Sequence, residues 1–190
     1  MNFGPHSFEV SKPEKELFPE SGFSKEDLIH YYTKVAGDLL PHAEGRPLAM
    51  HRFPDGIEGK DFFQKDVPDY FPDWISTVKV KREQGSIDML TLENKATLAY
   101  LANQACIAPH VFLSRAGHID QPDKMLFDLD PPKDGFDLVI KAARALRDHL
   151  AEAYDMAAYV MTSGSAGLHL VVPLEPKAKF DTVRDFAKKV

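Results

Sequence analysis

The sequence has 190 residues, of which 44% are hydrophobic and 27% charged, with 13 Phe and 6 Tyr; this is the balance of a single soluble domain, or one and a half, and it excludes whole-chain disorder. Twenty-three Lys and Arg against 29 Asp and Glu give a formal charge of −6, which excludes a broad polyanion-coating surface and allows only a local basic groove. A single cysteine, Cys106, forms no internal disulfide; the amino end MNFGPHSFEV has no signal-peptide profile and no apolar run is long enough to span a bilayer. A reducing, cytoplasmic location without a membrane partner is therefore expected.

In chain order, the first helix is predicted to begin at Ser24, where Asp27 completes a capping-box pattern and Leu28, Tyr32, Val35 or Ala36, and Leu39 recur at helical spacing. A second is predicted over 93–105 and a third over 136–153, with Phe136, Val139 or Ile140, Ala143, Leu146 and Leu150 on one face; a fourth starts near Phe180. Strands are predicted over 48–53, 74–82, 87–92, 124–130, 157–161 and 168–172. Within the second of these, Val78 and Val80 face inward while Lys79 and Lys81 form a basic outer face, either solvated or lining a phosphate track. Prolines mark the element ends, among them Pro41, Pro54, Pro68 and Pro131–Pro132. The first 70 or so residues are richer in turns and read as a small lobe, with an α+β mixture from Trp74 onward.

The strongest chemical signal is Leu126-Phe127-Asp128-Leu129-Asp130-Pro131-Pro132. On a strand, Asp128 and Asp130 point the same way, roughly 6–7 Å apart along the backbone. Two carboxylates this close repel unless a hard divalent cation sits between them, and Mg²⁺ or Mn²⁺ suits oxygen ligands. The bland alternative is a polar, proline-stopped strand end with both acids solvated. The second signal is Thr162-Ser163-Gly164-Ser165-Ala166-Gly167-Leu168-His169, a turn able to aim N–H groups at an anion, with His169 at the start of the next strand. It lacks the Gly-Lys-Ser/Thr of a P-loop and a strand follows it, so by itself it also reads as a plain hairpin.

Two smaller clusters precede these. His51-Arg52-Phe53-Pro54-Asp55-Gly56 leads to Phe62-Phe63-Gln64-Lys65, where aromatics beside cations suit base stacking and phosphate contact. At least one of the two phenylalanines is expected in the core. His110, after Pro109, reads by default as structural.

Assembled, these residues resemble the polymerase domain of bacterial ATP-dependent DNA ligase D, of the archaeo-eukaryotic primase superfamily used in non-homologous end joining. The resemblance runs in order through the chain: Lys15 and Lys25 around Phe18-Pro19, then the segments 52–56 and 62–65, His110, Phe127-Asp128-Leu129-Asp130-Pro131, and 162–165 through Gly167-Leu168-His169. It implies one primase-polymerase-like domain over 1–190, of α+β class. A small N-terminal α/β lobe (1–70) would carry DNA-end contacts, and residues 71–190 a primase-like (RRM-like) catalytic core. Asp128 and Asp130 would bind the catalytic Mg²⁺ or Mn²⁺, with His169 beside them. Ser163, Gly164, Ser165, Gly167, His169 and His110 would hold the nucleoside triphosphate, and Lys65 and Arg52 would touch nucleotide or nucleic acid. Lys15 and Lys25 would recognise the 5′-phosphate of a gapped or overhanging DNA end, and one of Phe62 and Phe63 would stack on the template. The implied reaction adds nucleotides, preferably ribonucleotides, to a primer 3′-hydroxyl, with a Ku-type protein and a ligase module as implied partners.

Three departures from the family pattern stand out. The third metal-binding Asp of the family lies beyond position 190, so the core is expected to be cut short before it, and Asp181 and Asp185 read as surface acids. Met161 and Ala166 stand where the family often has lysines, and Ala108 where an acid commonly precedes the histidine. A fragment, one partner of a split enzyme, and a degenerate relative all fit, so the 190-residue form is expected to be either active or inactive; the alternative function is a non-catalytic 5′-phosphate-binding DNA-end module. A haloacid-dehalogenase-type phosphohydrolase is disfavoured because Pro131-Pro132 follows the second Asp.

Overall fold

The computed structural model describes residues 1–133 and 135–190. Twelve strands and four helices are present among them. In order these are β1 (Asn2–Phe3), β2 (His6–Ser7), β3 (Glu16–Phe18), β4 (Phe23–Ser24), α1 (Lys25–Ala43), β5 (Leu48–Arg52), β6 (Phe62–Gln64), β7 (Thr77–Lys81) and β8 (Ser86–Leu90). There follow α2 (Lys95–Asn103), β9 (Cys106–Val111), β10 (Lys124–Leu129), α3 (Phe136–Tyr154), β11 (Tyr159–Thr162), β12 (Leu168–Pro173) and α4 (Phe180–Ala187). The chain divides into two compact units, Met1–Phe112 and Leu113–Val190. No described helix is long and apolar enough to cross a membrane.

In the first unit, α1 begins at the capping box read from the sequence. The Ser24 hydroxyl accepts from the Asp27 N–H at 3.2 Å and the Ser24 N–H donates to the Asp27 carboxylate at 2.8 Å, bonds that hold the Asp27 carboxyl below its usual range. The helix runs past Pro41 to Ala43, because a proline in the last turn removes one hydrogen bond without ending the helix. Helix α2 is capped by Asn94, whose side chain accepts from the Thr97 N–H at 2.9 Å. Its residues Ala96 to Asn103 are buried all round, as for a helix enclosed by its domain. The core gathers Leu17, Ile29, Leu48, Met50, Leu90, Leu98, Leu101 and Cys106.

The first 70 residues do not close on themselves. β5 is the centre of a three-stranded antiparallel sheet, ordered β6-β5-β9, so its partner β9 comes from after α2. β9 was not expected as a strand, since Pro109 interrupts it; it is an edge strand, where the missing N–H is tolerated. On the β7–β8 hairpin, Lys79 and Lys81 are exposed and Val78 and Val80 are half-buried, as the alternation predicts.

The second unit is a three-stranded antiparallel sheet in the order β10-β12-β11, with α3 and α4 packed on it. Met125 faces Val172 and Phe127 faces Leu170 across the β10–β12 register, and these four pack with Leu150 and Leu146 of α3 and Val183 and Phe186 of α4. Phe136, expected on the apolar face of α3, is instead exposed at the helix's first turn. Because the helices cover one face, the intervening residues Leu126, Asp128, His169 and Val171 lie on the other.

This small core makes a direct test possible. Leu150→Ala, at a fully buried position, is expected to lose about 2–5 kcal/mol in a denaturant melt followed by circular dichroism. Leu138→Ala, on the exposed side of the same helix, should stay within about 0.5 kcal/mol of the parent.

Candidate active site and nucleic-acid contacts

Two features of the second unit bring its chemistry together. The register sets Asp128 opposite His169, and the His169 Nε2 lies 3.2 Å from Asp128 Oδ1. Asp130, two residues on, continues the same side just past the strand end. The turn between β11 and β12 then comes back against it. A Cβ on Gly167 would lie 2.6 Å from the Leu129 carbonyl oxygen and 2.9 Å from Asp130 Oδ1, so only glycine lets the turn backbone approach that carboxylate so closely.

Ser163 shapes the turn from within. Its hydroxyl oxygen accepts from the Gly167 N–H at 3.0 Å and from the Ser165 N–H at 3.4 Å, and its own N–H donates to the Gly167 carbonyl at 3.2 Å. As an acceptor the hydroxyl is occupied; its proton remains free to donate. Gly164 takes φ +87°, which a side chain would resist. The turn borders an open cleft of about 770 Å³ lined by Pro131, Gly135, Phe136, Asp137, Thr162, Gly164, Ser165, Ala166 and Gly167.

The donor set of Asp128 and Asp130 suits a hard divalent cation. Both carboxylates are exposed, and the His169 contact is to one Asp128 oxygen, leaving the other. One or two carboxylates, with waters and substrate phosphates, are the usual holders of such an ion. Among the described residues, no three His, Cys, Asp or Glu side chains gather on one metal position. Asp181 pairs with Arg184 on α4 at 2.9 Å, a surface acid as expected.

The first unit holds the cations. Lys25 is almost fully buried and its ammonium donates to the Ser11 carbonyl and hydroxyl oxygens. Burial first, then the charges of Lys15 and Lys12, push its pKa down. The Lys25 N–H also donates to the Lys15 carbonyl at 2.8 Å, tying the two lysines together, while the Lys15 ammonium pairs with Asp55 at 3.4 Å. Glu14 acts on Lys25 in the opposite direction, so the lysines gathered here are offset in part by Glu14 and Asp55.

Beside β5 lies an aromatic cluster. Phe62 is 44% exposed and Phe63 is 55% exposed, so neither is core; β6 is a sheet edge whose two rings face opposite sides. The Phe63 ring stacks on His51 at 4.1 Å and meets the edge of His110 at 5.1 Å. The Arg52 guanidinium sits 5.5 Å from the Phe62 ring centroid. It donates to the Gln104 carbonyl at 2.9 Å, Gln64 Oε1 at 2.6 Å, the Tyr70 hydroxyl at 3.0 Å and Gln104 Oε1 at 3.2 Å. Lys65 is exposed.

Comparison with known proteins decides the family. The model of the LigD primase-polymerase domain matches residues 24–190. The chain belongs to the LigD primase-polymerase domain family.

Among curated relatives, the bifunctional non-homologous end joining protein LigD of Bacillus subtilis is 32% identical over 179 residues, covering 93% of this chain and 28% of that protein. The multifunctional non-homologous end joining DNA repair protein LigD of Mycobacterium tuberculosis is 32% identical over 190 residues, covering 95% and 25%. The chain thus spans about a quarter of the length of these relatives. A solved structure, the polymerase domain of M. tuberculosis ligase D in complex with DNA, superposes with a TM-score of 0.89 at 31% identity, covering 96% of this chain and 67% of that one. The likeness bears out the expected α+β, primase-like fold, and the LigD primase-polymerase family is one of metal-dependent nucleotidyltransferases.

Around His51 and Arg52 the structure adds partners that the sequence analysis does not single out. Asp61, whose carboxylate pairs with His51 Nε2, and Tyr70 and Gln104, which join Gln64 around Arg52, carry no motif of their own. Asp61 lies near His51 in sequence, but Tyr70 and Gln104 are 18 and 52 residues from Arg52 and give no local signal.

His110 supplies a pH test. Burial, and then the neighbouring His51, lower its pKa from 6.5, so the fold favours the neutral ring and the unfolded chain takes the proton more readily. Stability through this group is present above pH 6.5 and is lost as the pH falls below it. An NMR titration should place the His110 midpoint below 6.5, and His51→Ala should raise it; a midpoint at or above 6.5 contradicts the geometry.

Proposed function

We propose that the chain is a templated nucleotidyltransferase that fills gaps or extends broken DNA ends in non-homologous end joining. The observation that carries this is the Asp128–His169 cross-strand pair with the serine/glycine turn seated against Asp130. It is supported by membership of the family, by relatives named for end joining, and by a structural relative solved with DNA.

The reaction is in-line attack of a primer 3′-hydroxyl on the α-phosphate of a nucleoside triphosphate, preferably a ribonucleotide, with pyrophosphate leaving. Asp128 and Asp130 hold Mg²⁺ or Mn²⁺, which when bound neutralises triphosphate charge and eases deprotonation of the attacking hydroxyl. Asp128 orients His169 as well, so that the imidazole presents a donor to a phosphate oxygen. Ser163 keeps the turn in shape through two accepted N–H groups and retains one proton for the triphosphate. Gly164, Ser165 and Gly167 bring the turn backbone to the same phosphates; on the first unit His110, whose pKa burial and then His51 lower, is a further nucleotide contact.

On the first unit, Lys15 and Lys25 take the 5′-phosphate of a gapped or overhanging end. Phe63 or Phe62 stacks on the template base, with Lys65 on the backbone. Four hydrogen bonds to protein leave Arg52 at most one N–H for nucleic acid, so its larger part is to hold β6. A Ku-type end-binding protein and a ligase module are the partners this reading implies, and the cytoplasm the compartment.

Gap filling with Mn²⁺ and ribonucleotides on a 5′-phosphorylated gap tests the reading. Asp128→Ala and Asp130→Ala should each lower extension by about 10³-fold or more, since ion-mediated charge stabilisation amounts to several kcal/mol, with DNA-end affinity held within about twofold. Lys25→Ala should erase the preference for a phosphorylated over a hydroxyl end. End binding without extension by the parent chain would instead favour a non-catalytic DNA-end module, the reading suited to a chain in which no three acids converge among the described residues.

A further inference from the structure

We propose that His51 is a positioning residue whose imidazole backs the Phe63 ring and sets its plane for a stacked template base. This rests on the reading of the 62–63 pair as a base platform.

Adjacent residues of β5 back adjacent rings of β6 from opposite sides of the sheet: His51 pairs with Phe63 and Arg52 with Phe62. The His51 and Phe63 rings are nearly parallel, 4.1 Å between centroids and 14° between planes, which is close face-to-face contact. The imidazole cannot turn freely within the stack. Asp61, the residue before β6, pairs with its Nε2, and Phe53 leans on it at 4.4 Å. His110 closes a second side, meeting Phe63 at 61°. Phe63 is nevertheless 55% exposed. With one face on His51, a base landing on the other face would extend an existing two-ring stack.

Phe62 has a different support. Its ring lies by a guanidinium that Gln64, Tyr70 and Gln104 already hold. A ring fixed in plane loses less freedom when a base lands on it, so affinity gained by stacking depends on the backing as well as on the ring. The side chain at position 51 is therefore expected to act on template binding through Phe63 while touching neither nucleotide nor cation.

The test uses the full chain and a gapped, 5′-phosphorylated DNA with 2-aminopurine at the templating position, reading quenching of the probe and affinity for the DNA. Phe63→Ala should abolish the stacking quench. His51→Leu, which keeps apolar bulk without a flat ring, should reduce the quench and weaken binding by about five- to tenfold, within the range stacking supplies. His51→Phe, which keeps the flat face without the Asp61 pairing, should restore both to within about twofold of the parent. Mn²⁺ binding followed by electron paramagnetic resonance should be the same in all variants. The proposal fails if His51→Leu quenches and binds like the parent, or if His51→Phe is as impaired as His51→Leu. Should His51→Leu not fold, Asp61→Asn decides instead, since freeing the imidazole should lower the quench and an unchanged quench overturns the idea. If Phe63→Ala itself leaves the quench intact, the base-platform reading falls, and this inference with it.

Discussion

The register of β10 against β12 is the constraint on which the site depends. Met125 and Phe127 alternate with Leu126 and Asp128, and Leu170 and Val172 with His169 and Val171. The first set of each strand is fixed by packing under α3 and α4. A slip of one residue would drive Asp128 and His169 beneath the helices and bring apolar side chains to the open face, so burial of a few hydrophobic groups dictates that the acid and the imidazole meet. The meeting of acid and imidazole is thus a by-product of the core, and Phe127, packed with that core beside Asp128, matters to it as much as the acid does.

A comparable logic operates on the first unit through β5. Leu48 and Met50 point into the main core, while Ala49 packs with Ile87 and Met89 on the other side of the strand. Beyond that second cluster the same face carries His51 with its ring neighbours, so one rigid strand serves two apolar clusters and presents aromatic and cationic groups at its end. The chain's overall acidity is compatible with a local gathering of cations: burial first, and then Lys15, Lys12 and Arg52 against an opposing Glu14, lower the Lys25 pKa.

What was legible in the sequence was whatever local chemistry determines. The Ser24–Asp27 box, the two-residue spacing of Asp128 and Asp130, and the glycines of the turn each specify a backbone shape by themselves, and the structure has those shapes. Strand β9 was missed because Pro109 argues against a strand unless one knows it lies at a sheet edge, which is a tertiary fact. The exposure of both Phe62 and Phe63 was hidden for the same reason, since only the pairing with β5 makes β6 an edge. The resemblance implies that Arg52 touches nucleotide or nucleic acid; Gln104, 52 residues later in the chain, takes part of its guanidinium, and no local pattern announces so distant a partner.

The departures from the family pattern bear on how triphosphate charge is met in the proposed reaction. With Met161 on β11 and Ala166 in the turn, at positions where the family resemblance leads one to expect lysines, the turn offers N–H groups and hydroxyls but no side-chain cation between Thr162 and Leu168. Dipoles alone stabilise a polyanion far less than full charges do, and screening by salt weakens what remains. In that proposed reaction the burden would shift to a cation bound by Asp128 and Asp130 and to the imidazole beside Asp128. A site balanced in this way couples nucleotide binding to cation binding more tightly than one with its own lysines. The close approach of Gly167 to Asp130, which admits no side chain, holds the turn against that carboxylate, so the turn's weaker donors would act beside any cation that Asp130 binds.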